Sequence, residues 1–192
     1  MTLARTPRGL LLAAVIALGG CATHAPAPMP TVPHVDLERF MGPWYVIASI
    51  PTRIEKGAHN AVESYRLASD GSIETTFTFN ADAFDGPERR YRPRGFVLDR
   101  ASNALWGMQF VWPFRADYRI VYLTPDYSQT VIARAARDYV WVMAREPEIP
   151  DADYRRIVAL VGSLGYDTGL LRRVPQRWPL QSRPPVAPAS KG

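Results

Sequence analysis

The side chains best suited to chemistry are few and scattered along this 192-residue chain. The three histidines, His24, His34 and His59, lack the short spacing that a metal site requires. The sequence contains no Gly-x-Ser-x-Gly turn, which would expose a serine nucleophile, and no glycine-rich phosphate loop. It therefore predicts no catalytic residue, no metal site, no cofactor and no enzyme activity.

The single cysteine, Cys21, stands in a context that implies a specific modification. It follows Leu18-Gly19-Gly20, which resembles the bacterial lipobox, where small residues precede a cysteine whose thiol takes a diacylglyceryl group. The alternative is an ordinary signal peptide, but cleavage after Ala25 would meet Pro26. We therefore predict lipidation of Cys21, which leaves no cysteine for an intramolecular disulfide or a thiol nucleophile.

The segment before this cysteine has the layout of a signal peptide. Arg5 and Arg8 precede an unbroken run of nine apolar residues, from Leu10 to Leu18. Nine residues are too few to span a bilayer as a helix, which takes roughly 20. Residues 1–20 are therefore predicted to be a signal peptide, and a buried core helix is the alternative.

The residues that follow indicate a tether to a membrane. Residues 21–34 are rich in Pro and Ala and are predicted to form a lipidated, extended linker. The residue after Cys21 is Ala22 rather than Asp, and lipoproteins that this chain resembles in that respect are sorted to the outer membrane. The expected location is the outer membrane, lipid-anchored and facing the periplasm.

Charge is unevenly distributed along the chain. The formal net charge is +5, but the last residues carry five basic side chains and no acid after Asp167. Residues 176–192 are therefore predicted to be a disordered, basic, Pro-rich tail. Because the remaining body carries a slight acidic excess, nucleic-acid binding is not expected.

The body, residues 35–175, shows short strand-like runs separated by short turns. Eight such runs cover residues 44–50, 60–67, 72–79, 91–98, 104–112, 116–123, 130–135 and 139–145. Because no helix-length segment separates them, consecutive strands are expected to pair as hairpins. The predicted fold class is all-β, an eight-stranded up-and-down antiparallel barrel.

One helix is predicted after the strands. Asp151 is a candidate N-cap, Asp153 lies in the first turn, and Gly165 suits the position that ends the helix. Apolar residues at helical spacing, from Ile157 to Leu164, form one face. We expect this face to pack on the outside of the barrel.

Several motifs together resemble the lipocalins, in particular the bacterial outer-membrane lipoprotein subfamily. They are Gly42-Pro43-Trp44-Tyr45 at the first strand, Leu123-Thr-Pro-Asp126-Tyr127, the last strand Tyr139-Val-Trp-Val-Met-Ala-Arg145, the segment Phe110-Val-Trp-Pro113-Phe114, and the helix ending in Gly165-Tyr166-Asp167. The resemblance covers roughly residues 35–171, and Pro43 at the variable position is a mild departure. It implies that Gly42, Trp44 and Arg145 form a structural latch, with the Arg145 guanidinium over the Trp44 ring.

The same resemblance implies a ligand inside the barrel. Large apolar side chains recur on the late strands, and the candidate wall residues are Trp106, Met108, Phe110, Tyr118 and Trp141. On the next strand, Tyr118, Ile120 and Tyr122 are expected to share one face. The residues do not distinguish a hollow barrel from a filled one.

Three classes of function stay open on this basis. The first is a membrane-anchored lipocalin that binds, stores or transports a lipid-like ligand, such as a fatty acid or lysophospholipid. The second is a structural or interaction lipoprotein with a packed barrel, and the third is a lipocalin-fold enzyme, which the missing catalytic cluster disfavours. The oligomeric state, a homodimer included, is not specified.

Overall fold

The computed structural model describes residues 28–178, which are mostly antiparallel sheet. The strands are β1 (Gly42–Ile50), β2 (Ala58–Leu67), β3 (Ile73–Ala81), β4 (Glu88–Tyr91), β5 (Arg94–Val97), β6 (Leu105–Val111), β7 (Phe114–Leu123), β8 (Gln129–Ala133), β9 (Val140–Ala144) and β10 (Arg172–Arg173). The helices are α1 (Leu37–Phe40) and α2 (Asp151–Ser163), with a 3₁₀ turn η1 (Thr168–Leu170). The predicted signal peptide, Cys21, residues 22–27 of the linker and residues 179–192 of the tail lie outside the described residues.

The sheet closes on itself. Successive strands pair antiparallel around the molecule, and β9 returns to β1 with Tyr45 opposite Ala144 and Ile50 opposite Val140. β4 and β5 both pair with β3 and together occupy one strand position, so the barrel has eight positions. Closure removes the long exposed edges that an open sheet would leave. The predicted eight-stranded up-and-down barrel is confirmed.

The strand expected over residues 91–98 is broken into two. β4 ends at Tyr91 and β5 begins at Arg94, and Pro93 lies between them. Proline has no N–H to donate to a neighbouring strand, so pairing is interrupted there. Only the Pro93 carbonyl takes part, accepting a hydrogen bond from Thr75 N at 3.2 Å.

The C-terminal segment fills the space between β1 and β2. β10 pairs with β1, and Gln176 Nε2 then donates to the carbonyls of Val46 and Ala61 at 2.8 and 3.1 Å. The Trp178 ring packs edge-on against Tyr45, with centroids 5.6 Å apart. The folded body therefore extends at least to Trp178, three residues beyond the predicted boundary at 175.

Helix α2 packs on the outside of the barrel, as predicted. Its buried residues Ile157 and Val161 belong to an outer apolar cluster with side chains of β1, β8 and β9. Gly165, with φ +90°, follows the helix as expected. The N-cap prediction is wrong by one residue, because Pro150 occupies that position without a side-chain cap and Asp151 is the first helical residue.

The barrel interior forms a second, separate core, and strand bulges decide which side chains enter it. Ile120 points inward with the interior cluster. The register shifts between Ile120 and Tyr122, and Tyr122 packs instead with the outer cluster. The expectation that Tyr122 shares a face with Tyr118 is therefore wrong, because one extra residue reverses the alternation of a strand.

The two ends of the barrel differ. At the closed end lie α1 and loops 68–72, 98–104 and 124–128; at the open end lie loops 51–57, 82–87, 112–113 and 134–139. The segment before α1 runs along the barrel wall, where Val32 N donates to Ile120 O at 2.9 Å and Met29 is buried. No helix within residues 28–178 is both long and apolar enough to cross a membrane.

Candidate ligand cavity

Arg145, the residue after β9, lies beneath the closed end. Its guanidinium carbon is 3.8 Å from the centroid of the Trp44 ring. Its terminal nitrogens donate to four backbone carbonyls of residues 39, 40, 41 and 43, at 2.7–3.1 Å. Gly42, in the middle of this stretch, has φ +93°, a conformation that favours glycine. The structure thus brings the three predicted latch residues together.

Burial of this arginine is compensated by its partners. Burial lowers the pKa of Arg145 to about 10, so the side chain stays charged at neutral pH. The charged guanidinium donates hydrogen bonds to backbone carbonyls at the junction of α1 and β1. Without it these carbonyls would be buried without hydrogen-bond partners. Trp44 is fully buried and its indole Nε1 donates to Phe40 O at 2.9 Å. The geometry ties the helix, the first strand and the last strand to one another.

Stacked aromatic rings form the floor of the barrel above the latch. Trp106 is stacked on Tyr118 with centroids 5.3 Å apart and meets Phe40 edge-on at 5.4 Å. Tyr65 contacts both Trp106 and Phe40. Trp106 has no exposed surface and is not among the residues that line the cavity described below. It lies deeper than Met108 on the same face, where other rings fill the space.

A cavity of about 360 Å³ lies between this floor and the open end. Four of the five predicted wall residues line it: Met108, Phe110, Tyr118 and Trp141. Volumes of this order are typical of sites for one small molecule, at about 300–1,000 Å³. Flexible Met and flat aromatic side chains suit a ligand with an apolar chain. The barrel is therefore hollow in its open half and packed in its closed half.

Two carboxyl groups in the wall of this apolar cavity, those of Glu63 and Glu55, have raised pKa values, and a third, that of Asp117, also lines it and is paired with Arg119. Glu63 on β2 is half-buried and faces the cavity, and burial raises its pKa to about 8, with a smaller contribution from the nearby charge of Glu55. A hydrogen bond with Tyr65 opposes that shift. The Tyr65 and Tyr118 hydroxyls are hydrogen-bonded to each other, and burial raises the pKa of both well above the usual tyrosine range. At neutral pH Glu63 is therefore mostly a neutral carboxylic acid that can donate as well as accept.

The second carboxyl, Glu55, holds the loop at the mouth. Its Oε2 accepts a hydrogen bond from Thr52 N at 2.8 Å, and its Oε1 accepts one from the indole of Trp141 at 3.2 Å. Burial raises the pKa of Glu55, and these hydrogen bonds oppose the rise. Loop 51–57 is thus fastened to β9 across the mouth of the cavity.

Sequence reasoning missed both carboxyls, although one left a readable signal. Side chains alternate between the two faces of a strand, so Glu63 and Leu67 share a face of β2 with Tyr65, and Ser64 and Arg66 share the other. Because an aromatic residue such as Tyr65 is expected to face the interior, Glu63 is expected inside as well. Glu55 left no such signal, because it lies in a loop. Neither carboxyl is part of a metal site: within residues 28–178 no three His, Cys, Asp or Glu side chains are grouped to hold a metal ion.

The family model described as a lipocalin-like domain matches residues 35–176, most of the chain. This chain is a lipocalin. The prediction from its motifs is confirmed.

Two relatives from different organisms are similar to this chain over most of its length. Temperature-induced lipocalin-1 of Arabidopsis thaliana is 28% identical over 157 residues, covering 77% of this chain and 83% of the relative. Outer membrane lipoprotein Blc of Escherichia coli K12 is 26% identical over 162 residues, covering 82% of this chain and 90% of the relative. Both matches span nearly the whole lipocalin body.

The solved structures show the same lipocalin fold at much lower identity. Insecticyanin from the tobacco hornworm Manduca sexta superposes with a TM-score of 0.62 at 12% identity, covering 84% of this chain and 89% of that one. At this identity the likeness shows the fold alone. Taken together, family and fold place this protein among binders of small hydrophobic ligands.

Proposed function

We propose that this protein is a lipid-anchored lipocalin of the outer membrane that binds a single-chain amphiphile, such as a fatty acid or lysophospholipid, in the open half of its barrel. The observation that carries the proposal is the apolar cavity of about 360 Å³, with the carboxyl groups of Glu55 and Glu63 among its lining residues. Burying an acyl chain there gains roughly 25 cal/mol per Å² of apolar surface removed from water. A micromolar dissociation constant, about −8 kcal/mol, is expected once ordering costs are subtracted.

The location rests on other observations. The relative named outer membrane lipoprotein Blc matches most of this chain, and Cys21 follows a lipobox-like stretch. We propose that Cys21 is acylated and that the protein has a carrier role rather than a catalytic one. Labelled fatty acid should be incorporated into the wild-type protein and not into a Cys21→Ser variant. Label retained by the variant would contradict the anchoring proposal.

The ligand can be tested by blocking the cavity. Met108→Trp places a larger side chain among Phe77, Tyr118 and Trp141 and should abolish binding while the barrel still folds. The assay is titration of delipidated protein with a long-chain fatty acid and with a lysophospholipid, followed by intrinsic Trp fluorescence and, in parallel, by calorimetry.

A matched control keeps the fluorescence comparison fair. Ala159 is exposed on α2, so Ala159→Trp adds the same chromophore away from the cavity and should bind as the wild type does. Extraction and mass spectrometry of the purified wild-type protein should recover a single-chain lipid that Met108→Trp lacks. Absence of saturable binding of either amphiphile by wild-type protein would favour the alternative of a ligandless structural or interaction lipoprotein.

A further inference from the structure

The hairpin between β6 and β7 exposes an unusual amount of apolar surface. Four of the seven exposed large hydrophobic side chains within residues 28–178 lie in its five-residue tip, residues 110–114. Trp112 is 81% exposed, Phe114 75% and Phe110 56%. Contiguous exposed patches of this kind mark sites of interaction with a protein or a membrane.

This hairpin tip adjoins the cavity. Phe110 belongs both to the tip and to the cavity lining. Across the mouth, Ile54 of loop 51–57 is also exposed and also lines the cavity. The apolar surface is therefore continuous from the outside of the open end to the interior of the barrel.

The hairpin tip itself, residues 110–114, carries no acidic side chain. Between Trp106 and Ala116 the only charged residue is Arg115, and Arg53 is exposed on the opposite side of the mouth. A basic side chain near an anionic bilayer is attracted to the lipid headgroups. Trp is enriched where membranes meet water, because its ring is apolar and its N–H is polar. The composition thus fits a phospholipid surface.

The segment before α1, residues 28–35, runs toward the open end of the barrel. Val35 N donates to Ser102 O at the closed end, Val32 N to Ile120 O, and Met29 O accepts from the side chain of Arg119. Because β7 begins at the open end, this path runs from the closed end toward the open one. Six residues lie between Cys21 and Pro28, so the two are at most about 25 Å apart. A lipid on Cys21 is therefore held within reach of the open end.

We propose that the open end of the barrel docks on a phospholipid bilayer through the hairpin tip, so that an acyl chain passes between membrane and cavity without crossing water. The docking itself depends only on the tip. The transfer rests on the proposed function, because it needs the cavity as the destination of the acyl chain.

The test uses the mature full-length chain with Cys21→Ser, which removes the anchor, and vesicles of phosphatidylethanolamine and phosphatidylglycerol. The chain should sediment with the vesicles, and brominated acyl chains should quench its fluorescence. Replacing both Trp112 and Phe114 by Ser should weaken vesicle binding by about ten-fold or more, since each ring leaves the interface. Leu98→Ser is the matched control, because Leu98 is 54% exposed at the closed end, and its vesicle binding should be unchanged.

Two outcomes would overturn the docking proposal. One is equal vesicle binding by the Trp112→Ser, Phe114→Ser variant and the wild type. The other is a wild-type dimer that ignores vesicles and becomes monomeric in the tip variant, which would make the patch an interface between two copies. Titration with monomeric lysophospholipid keeps the two proposals apart: the tip variant should bind it normally, whereas Met108→Trp should bind vesicles but not the amphiphile.

Discussion

Trp106 and Phe110 lie on the same strand, two inward-facing positions apart, yet the first has no exposed surface and the second is 56% exposed. The closed end encloses its aromatic side chains among other rings and satisfies its polar groups with the guanidinium of Arg145. The open end leaves apolar side chains uncovered and holds carboxyl groups whose neutral forms are favoured.

This contrast indicates that the two ends of the barrel have different roles. Stability is expected to come mainly from the closed end, where aromatic rings pack densely and Arg145 donates to four backbone carbonyls. Ligand binding needs the opposite, namely unfilled volume and apolar surface without protein partners. The barrel can afford a cavity in one half because the other half is packed.

The largest expected effect compares the two aromatic residues of β6 directly. Trp106→Ala empties a space among Phe40, Tyr65 and Tyr118 and should lower the free energy of unfolding by about 3–5 kcal/mol. Phe110→Ala removes a largely exposed ring and should change it by about 0.5 kcal/mol or less. Urea denaturation of both variants measures the difference. Similar losses would mean that the open end contributes as much stability as the closed end.

The second prediction compares the buried cation–π contact of Arg145 with the exposed cation–π contact of Arg115. Arg145→Ala should cost about 2–3 kcal/mol, because it removes a partly desolvated cation–π contact and leaves four carbonyls without their donor. Arg115→Ala removes an exposed guanidinium 3.7 Å from the Phe96 ring and should cost at most about 1 kcal/mol. Amphiphile binding at low temperature should survive both changes. If the two arginines cost the same, the carbonyl bonds of Arg145 contribute nothing.

The last prediction concerns pH and sharpens the contrast at the open end. Because the pKa of Glu63 is raised from 4.5 to about 8, the folded protein keeps a proton that the unfolded chain has lost between those values. The stability of the wild type should therefore fall as pH rises from 4.5 and level off above about 8.

Glu63→Gln resembles the protonated acid and should flatten that slope, leaving the part due to Glu55. Glu74→Gln, on the outer face of β3, is the control and should keep the wild-type slope. Urea unfolding across this pH range provides the measurement. An unchanged slope in Glu63→Gln would show that the carboxyl is not protonated in the fold.

Local patterns in the sequence were sufficient for much of the architecture. Alternating apolar residues with short turns predicted the barrel, and Gly165 marked the end of the helix, because these features depend on backbone geometry over a few residues. The Trp44 and Arg145 contact followed from the family motifs, since residues at the start of the first strand and the end of the last must meet in a closed barrel.

Depth and register were decided only in three dimensions. Trp106 and Met108 share one face of β6, and no pattern along the strand tells which of them meets the floor and which lines the cavity. Tyr122 changed faces because a bulge adds a residue without leaving a mark in the sequence. The protonation of Glu63 depends on how many groups from other strands exclude water around it, a property of the packed barrel rather than of any segment.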